Sequence, residues 1–238
     1  MEKRSRNDVM RAIHAGGELS GYDLSGVNLG SLDLIAIRFR GCKFHSANLS
    51  SSNFSMSDFE ECDLTECNMS SSNFSGACFR NAKLDKADLS FASFIGADFS
   101  GATARDVNLT NSRFSGAIFH KADLMGANLQ MSEAIKVEFT DANLQNINAY
   151  GSSMIGANLS RSNLQGSSLR GTDLSGANLQ NADLRNSELI EVVFVAADLT
   201  NADFTGAYIV RTETDRIIKN GMKYDDNLKD VFERGTDL

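Results

Sequence analysis

The chain contains no proline and no tryptophan, and only three histidines and four cysteines among 238 residues. Without proline, any tight turns must be built from Gly, Ser and Asn, which supply the needed backbone freedom. Three histidines, His14, His45 and His120, give little scope for acid–base chemistry, and nothing groups a nucleophile, a base and an orienting acid. No Gly-rich stretch has the spacing of a phosphate loop. No apolar run is long enough to span a bilayer, and the opening Met1-Glu2-Lys3-Arg4-Ser5-Arg6 lacks a following apolar signal region. The expected location is the cytoplasm, with no membrane contact. A net charge of -8 and a pI near 4.9 make a nucleic-acid backbone an unsuitable partner. Neither a catalytic role nor a cofactor is expected.

What the chain has in abundance is repetition. Every fifth residue from Leu19 to Ile209 is apolar, thirty-nine positions without a slip, and only Ala104, Ala134 and Ala149 are not Leu, Phe, Met or Ile. Two places before each centre sits a small residue, and Asn or Asp commonly precedes the centre, as in Ala97-Asp98-Phe99-Ser100-Gly101. A period of five fits neither the 3.6 of a helix nor the 2 of a strand. Short units in unbroken phase make a solenoid, in which each unit buries its apolar side only by stacking on its neighbours.

The pattern resembles the pentapeptide-repeat family across residues 17–210. The resemblance implies an all-β, right-handed quadrilateral β-helix with four pentapeptides per coil, the centre and the small residue two before it pointing inward. Such a coil requires a second period of twenty. Phe39, Phe59, Phe79, Phe99, Phe119 and Phe139 follow it, as do Phe54, Phe74, Phe94 and Phe114. Larger inward residues Val107, Val137 and Ile147 sit close to the three alanine centres, the exchange that close packing demands.

Charges repeat at the same interval. Asp23, Lys43, Asp63, Lys83 alternate in sign, as do Glu18, Arg38, Asp58 and Arg40, Glu60, Arg80. Between residues 18 and 211, opposite-charge pairs twenty residues apart number fourteen, against one like pair, Asp183 with Asp203. Facing opposite charges stabilise a ladder by roughly 0.2–1 kcal/mol each. About ten coils at about 4.8 Å make a rod of about 45–50 Å.

Open solenoid ends need caps. The chain accordingly divides into an N-terminal helical cap (1–16), the β-helix (17–210) and a C-terminal helical cap or tail (211–238). Asn7 to Ala15 is expected as the first helix, with Asn7 or Asp8 near its cap and Gly16-Gly17 as its stop. Beyond Ile209, Thr212 or Thr214 is expected to cap a turn through Asp215–Lys219, and Asp225 or Asp226 to start a helix through Leu228 and Phe232.

Cys42, Cys62 and Cys67 take the small inward position and Cys78 an outward one, so the thiols are expected to be reduced and structural. Cys42 and His45 have metal-like spacing but opposite directions, and no metal is expected. The acidic run Asp58, Glu60, Glu61, Asp63, Glu66 is flanked one coil away by Arg38, Arg40, Lys43, Arg80, Lys83 and Lys86.

Two functions are open. One is a protein-binding rod or scaffold, with a second copy or another protein as partner. Of fifteen large apolar outward residues, eleven fall in four of the twelve outward columns: Ile35, Phe91, Ile95, Met131, Ile135, Tyr150, Ile155, Ile190, Val193, Val195 and Val210. They trace a stripe, and large apolar patches mark interaction sites. The other function comes from the resemblance: some members mimic DNA and bind a type II topoisomerase (gyrase), protecting it from quinolones or toxins. The residues suited to that role are Asp173, Asp183, Glu188, Asp198 and Asp203, expected to lack an opposite charge one coil away.

Overall fold

The computed structural model describes residues 3–16 and 19–233. Each pentapeptide contributes a short extended segment and a two-residue corner. Asp23 bridges Lys43, Asn28 bridges Asn48, Asp33 bridges Asn53 and Arg38 bridges Asp58, in four separate parallel ladders that all advance by twenty residues, the first already begun by Lys3 with Asp23. The protein is therefore a four-sided β-helix. Near the C-terminal end one side lengthens on successive coils into β1 (Glu188–Ile190) and β2 (Tyr208–Val210), parallel with Leu189 opposite Ile209.

Each position of the repeat has a physical task. The centre fills the shaft, and its N–H joins the next coil, as from Leu64 to the Lys83 carbonyl at 2.7 Å. The preceding Asn or Asp turns its side chain back onto the corner: Asp23 Oδ1 accepts from the Ser25 N–H at 3.0 Å. This Asx turn is what favours Asn and Asp there. The corner closes by a bond from the Val27 N–H to the Leu24 carbonyl at 3.0 Å. Its second residue has positive φ at every fifth position from Gly16 to Gly221. Only some of these are glycine, and an ordinary L-residue held there costs roughly 1–2 kcal/mol.

The core is layered by type. Phe39, Phe59, Phe79, Phe99 and Phe119 stack along one side with ring centroids 4.5–5.1 Å apart. Phe54, Phe74 and Phe94 stack along the next side at 5.1 and 5.2 Å, and the two columns meet edge-on. Val107, Val137 and Ile147 are buried together with Ala104, Ala134 and Ala149. The Ser132 hydroxyl, two residues before Ala134, is buried with no hydrogen-bond partner.

The ends differ from the sequence expectation. Helix α1 runs Arg6–His14, one residue earlier than expected, because Ser5 is its N-cap. Ser5 N–H donates to Asp8 Oδ2 at 2.8 Å while the Asp8 N–H donates to Ser5 Oγ, a capping box. Gly17 and Glu18, expected as helix stop and column charge, lie outside the described residues. At the other end the coil does not stop at 210. The ladders continue through Val193 to Glu213, Asp198 to Ile218 and Asp203 to Lys223. Backbone bonds carry this last coil, so it needs no Leu or Phe centre. Thr214 takes a buried centre position and its hydroxyl donates to the Val231 carbonyl at 3.2 Å. Asp215–Lys219 is thus coil and corner, not a turn capped by Thr212 or Thr214.

Only then does a 3₁₀ turn (Asp226–Leu228) lead into α2 (Lys229–Glu233). Leu228 and Phe232 are buried, with the Phe232 ring 5.3 Å from Phe204. Lys219, at a centre position of the open last coil, donates through Nζ to the Phe232 carbonyl. The C-terminal part of the expected 211–238 cap, from 234 onward, lies outside the described residues.

Candidate protein-interaction surface

One side of the shaft carries the ladder through Asn53, Asn73, Ser93, Arg113, Glu133, Ser153, Asp173 and Val193. The corner before it holds Phe91, Met131, Tyr150, Ile190 and Val210. The corner after it holds Ile35, Ile95, Ile135, Ile155 and Val195. The predicted stripe therefore lies on one side and its two corners. Ile35, Phe91, Ile95, Met131, Tyr150 and Ile155 are exposed, and Met56, also exposed, shares the second corner. Ile135, Ile190, Val193, Val195 and Val210 are half-buried, so the stripe is strongest between Phe91 and Ile155. Exposed Ile118, Tyr208 and Ile218 lie on other ladders.

The corners explain most bulky residues with positive φ, but not all. Where the next coil has glycine, the side chain below it lies in the space a Cβ would take. Met131 Sδ would be 2.8 Å from a Cβ at Gly151, Met56 Sδ 2.6 Å from one at Gly76, and Asn81 Oδ1 2.6 Å from one at Gly101. Phe91 has φ 58° and precedes Asn111, so it has no glycine notch. It is 64% exposed. A bulky residue in the left-handed region, projecting into water, gains nothing from its own corner.

The charge columns have side-chain geometry. Glu60 lies between Arg40 (2.9 Å) and Arg80 (3.4 Å), Arg113 meets Glu133 at 3.1 Å, Arg161 meets Asp141 at 2.7 Å and Arg211 meets Glu191 at 2.6 Å. Arg105 departs from the expectation. Its backbone N–H reaches Asp85, but its guanidinium turns to Asp123 at 2.6 Å.

The expected acidic face is not a face. Asp173, Glu188 and Asp198 sit on three different ladders, and Asp183 with Asp203 on the fourth. Their shared repeat position distributes them around the rod. Nor are all of them without an opposite charge, since the coil continues and sets Lys223 opposite Asp203. Arg185 grips Asp183 through two bonds of 2.8 and 2.6 Å, and these hold the Asp183 carboxyl below its ordinary range. Burial works against the charged forms of Asp198 and Asp203. Hydrogen bonds from Thr200 and Gln180, and from Thr205, outweigh it and lower both pKa values. Asp173 Oδ1 accepts from the Ser175 N–H at 2.9 Å, and Ser168 Oγ donates to Glu188 at 2.9 Å. For the four aspartates the signal was present in the sequence, as Ser, Thr or Arg two residues after the acid.

A repeat model described as pentapeptide repeats matches residues 23–60, 52–90, 92–130, 138–176 and 177–212, in eight copies. This chain belongs to the pentapeptide-repeat family. Among solved members of the fold it is similar to HetL, a pentapeptide repeat protein involved in heterocyst differentiation regulation from the cyanobacterium Nostoc sp. strain PCC 7120. The identity is 25%, the TM-score 0.72, and the match covers 88% of this chain and 94% of that one. It is also similar to QnrB1, a plasmid-mediated fluoroquinolone resistance protein, at 21% identity and TM-score 0.52, covering 91% and 94%. The QnrB1 likeness shows the fold alone. No curated protein matches the chain by sequence.

Within this pentapeptide-repeat rod the other chemistry-bearing groups serve the structure. Burial pushes the Cys42 thiol up to about 11 and the Cys67 thiol up to about 12, and raises Cys62 and Cys78 as well. The three inward thiols donate to the carbonyls of Leu19, Phe39 and Phe44. Asp58, Glu60 and Cys78 bring ligand atoms within 4.8 Å of one another, the closest approach to a cation site among the described residues. Glu60 is already shared by two guanidiniums and the Cys78 thiol is held protonated, so this donor set suits a metal poorly. His45 lies beside Glu66 and His120 beside Asp141, each at 3.9 Å and on different parts of the coil. No helix among the described residues is long and apolar enough to cross a membrane.

Proposed function

We propose that this pentapeptide-repeat protein is a non-enzymatic, cytoplasmic rod that binds a protein partner along the side between Phe91 and Ile155. The observation that carries the reading is Phe91, an exposed aromatic with positive φ and no glycine notch to receive it. Met131, Ile135, Tyr150 and Ile155 continue the same side beyond the polar coil of Thr110, Asn111, Arg113 and Ser115, and clusters of exposed apolar residues mark contacts. The filled shaft favours a role on the outer surface over chemistry in a cleft. Affinity capture from cell extract tests the reading, comparing the wild type with an Ile135→Asp, Ile155→Asp double variant. The variant is expected to lose proteins that the wild type retains. Identical captured sets would remove the stripe from the account.

A second reading, binding to a type II topoisomerase as a DNA mimic, is favoured by the net charge of -8 on a rod. It draws no support from a shared acidic face. A gyrase supercoiling assay in the presence of a quinolone decides it: restored supercoiling supports mimicry, and no effect of the protein discards it.

A further inference from the structure

We infer that the side carrying Phe91, Ser93 and Ile95 is a contact between two copies of this chain. The inference rests on the protein-binding reading and names its partner. Charge is segregated around the shaft in a way the overall composition hides. Over the six coils from Ser50 to Gly156, this side with both residues of each corner has thirty positions, and only Arg113, Glu133 and Lys136 among them are charged. Arg113 and Glu133 neutralise each other at 3.1 Å. On the opposite side, the equivalent positions from Glu60 to Gly166 include fourteen charges.

A molecule with a net charge of -8 repels its own copies. The charge-poor side is where a second copy approaches with least of that penalty, and depletion of charge is what distinguishes the centre of an interface. Phe91, Met131, Ile135 and Tyr150 supply apolar anchors there, of the kind that dominate contact energies. Six coils run roughly 30 Å along the rod. A side of that height, with its corners included in the width, approaches the about 800 Å² per partner that stable interfaces bury. Both copies also present columns at one common spacing, so side chains of one can seat between rows of the other.

Sedimentation velocity of the full chain up to about 100 μM tests this, at about 0.05 and 0.5 M NaCl. A monomer–dimer equilibrium that salt barely moves is expected. Phe91→Asp should weaken it about tenfold or more, and Ser93→Arg, which changes an outward ladder position at the cost of the 3.0 Å bond between the Ser75 and Ser93 hydroxyls, should do the same. Thr103→Arg, the matching ladder position on the opposite side, should leave it unchanged. A wild type that stays monomeric overturns the inference, as does a dimer retained by Ser93→Arg or dissolved by salt. If Phe91→Asp fails to fold, Ser93→Arg alone decides. Monomeric wild type with partner loss in the Ile135→Asp, Ile155→Asp capture would leave protein binding standing and remove only the second copy.

Discussion

Phe91 and its neighbours in the corners show what single residues contribute. The left-handed corner suits Gly and Asn, and Phe91 occupies it at a conformational cost with its ring in water. Phe91→Asn is therefore expected to raise the stability of the monomer by about 1 kcal/mol in urea unfolding. An unchanged or lower midpoint would mean that the ring packs on the rod. The aspartates that precede the centres make a second residue-scale point. Asp23, Asp183, Asp198 and Asp203 all have pKa values below the ordinary 3.8 in the folded state. A depressed carboxylate stabilises the fold above its unfolded pKa, and that contribution fades as pH falls through the folded value. Thermal stability should thus be flat with respect to these groups from neutral pH to about 5 and decline below about 4. Asp198→Asn keeps an oxygen for the Thr200 N–H but turns its amide donor toward Gln180 Nε2, so it should melt somewhat below wild type at pH 7 and lose part of the acid sensitivity. A steeper acid decline in that variant would contradict the assignment.

At the scale of the coil, the stacked rings and the charge columns have separate energetics. Phe99 lies 4.6 Å from Phe79 and 4.5 Å from Phe119, so Phe99→Ala should cost about 3–5 kcal/mol through the cavity it leaves. A loss below about 1 kcal/mol would place Phe99 outside the load of the core. Glu60→Lys would set three cations in one column. The Glu60 side chain is only 13% exposed between two half-exposed guanidiniums, so the loss should exceed that of an open surface pair, and its electrostatic part should shrink as salt is added. A salt-independent loss would point to packing rather than charge. The coil was legible in the sequence because its centres are apolar side chains at a fixed interval and its charges alternate at twenty. Its end was not, because backbone bonds continue where apolar centres stop. Glu213, Ile218 and Lys223 still donate to Val192, Ala197 and Ala202, at 3.0, 3.0 and 2.9 Å. The left-handed corners were also hidden, since Lys, Glu, Arg and Phe occupy them as well as Gly.

At the scale of the molecule, the sequence placed the apolar stripe on one side, and it lies there. The acidic group fails for a geometric reason: one residue per pentapeptide walks around all four sides, whereas a face requires one residue per twenty. The same rule exposes the charge-poor side and its charged opposite. The central claim is that binding resides on that charge-poor side, and it is tested most directly by measuring the affinity of a captured partner for two variants of the rod. One is Ile135→Asp, Ile155→Asp on the stripe, and the other is Asp123→Asn, Arg161→Gln on the opposite side. The account predicts about a tenfold or greater loss, at least about 1.4 kcal/mol, for the first and almost none for the second. Loss confined to the opposite-side variant would contradict it.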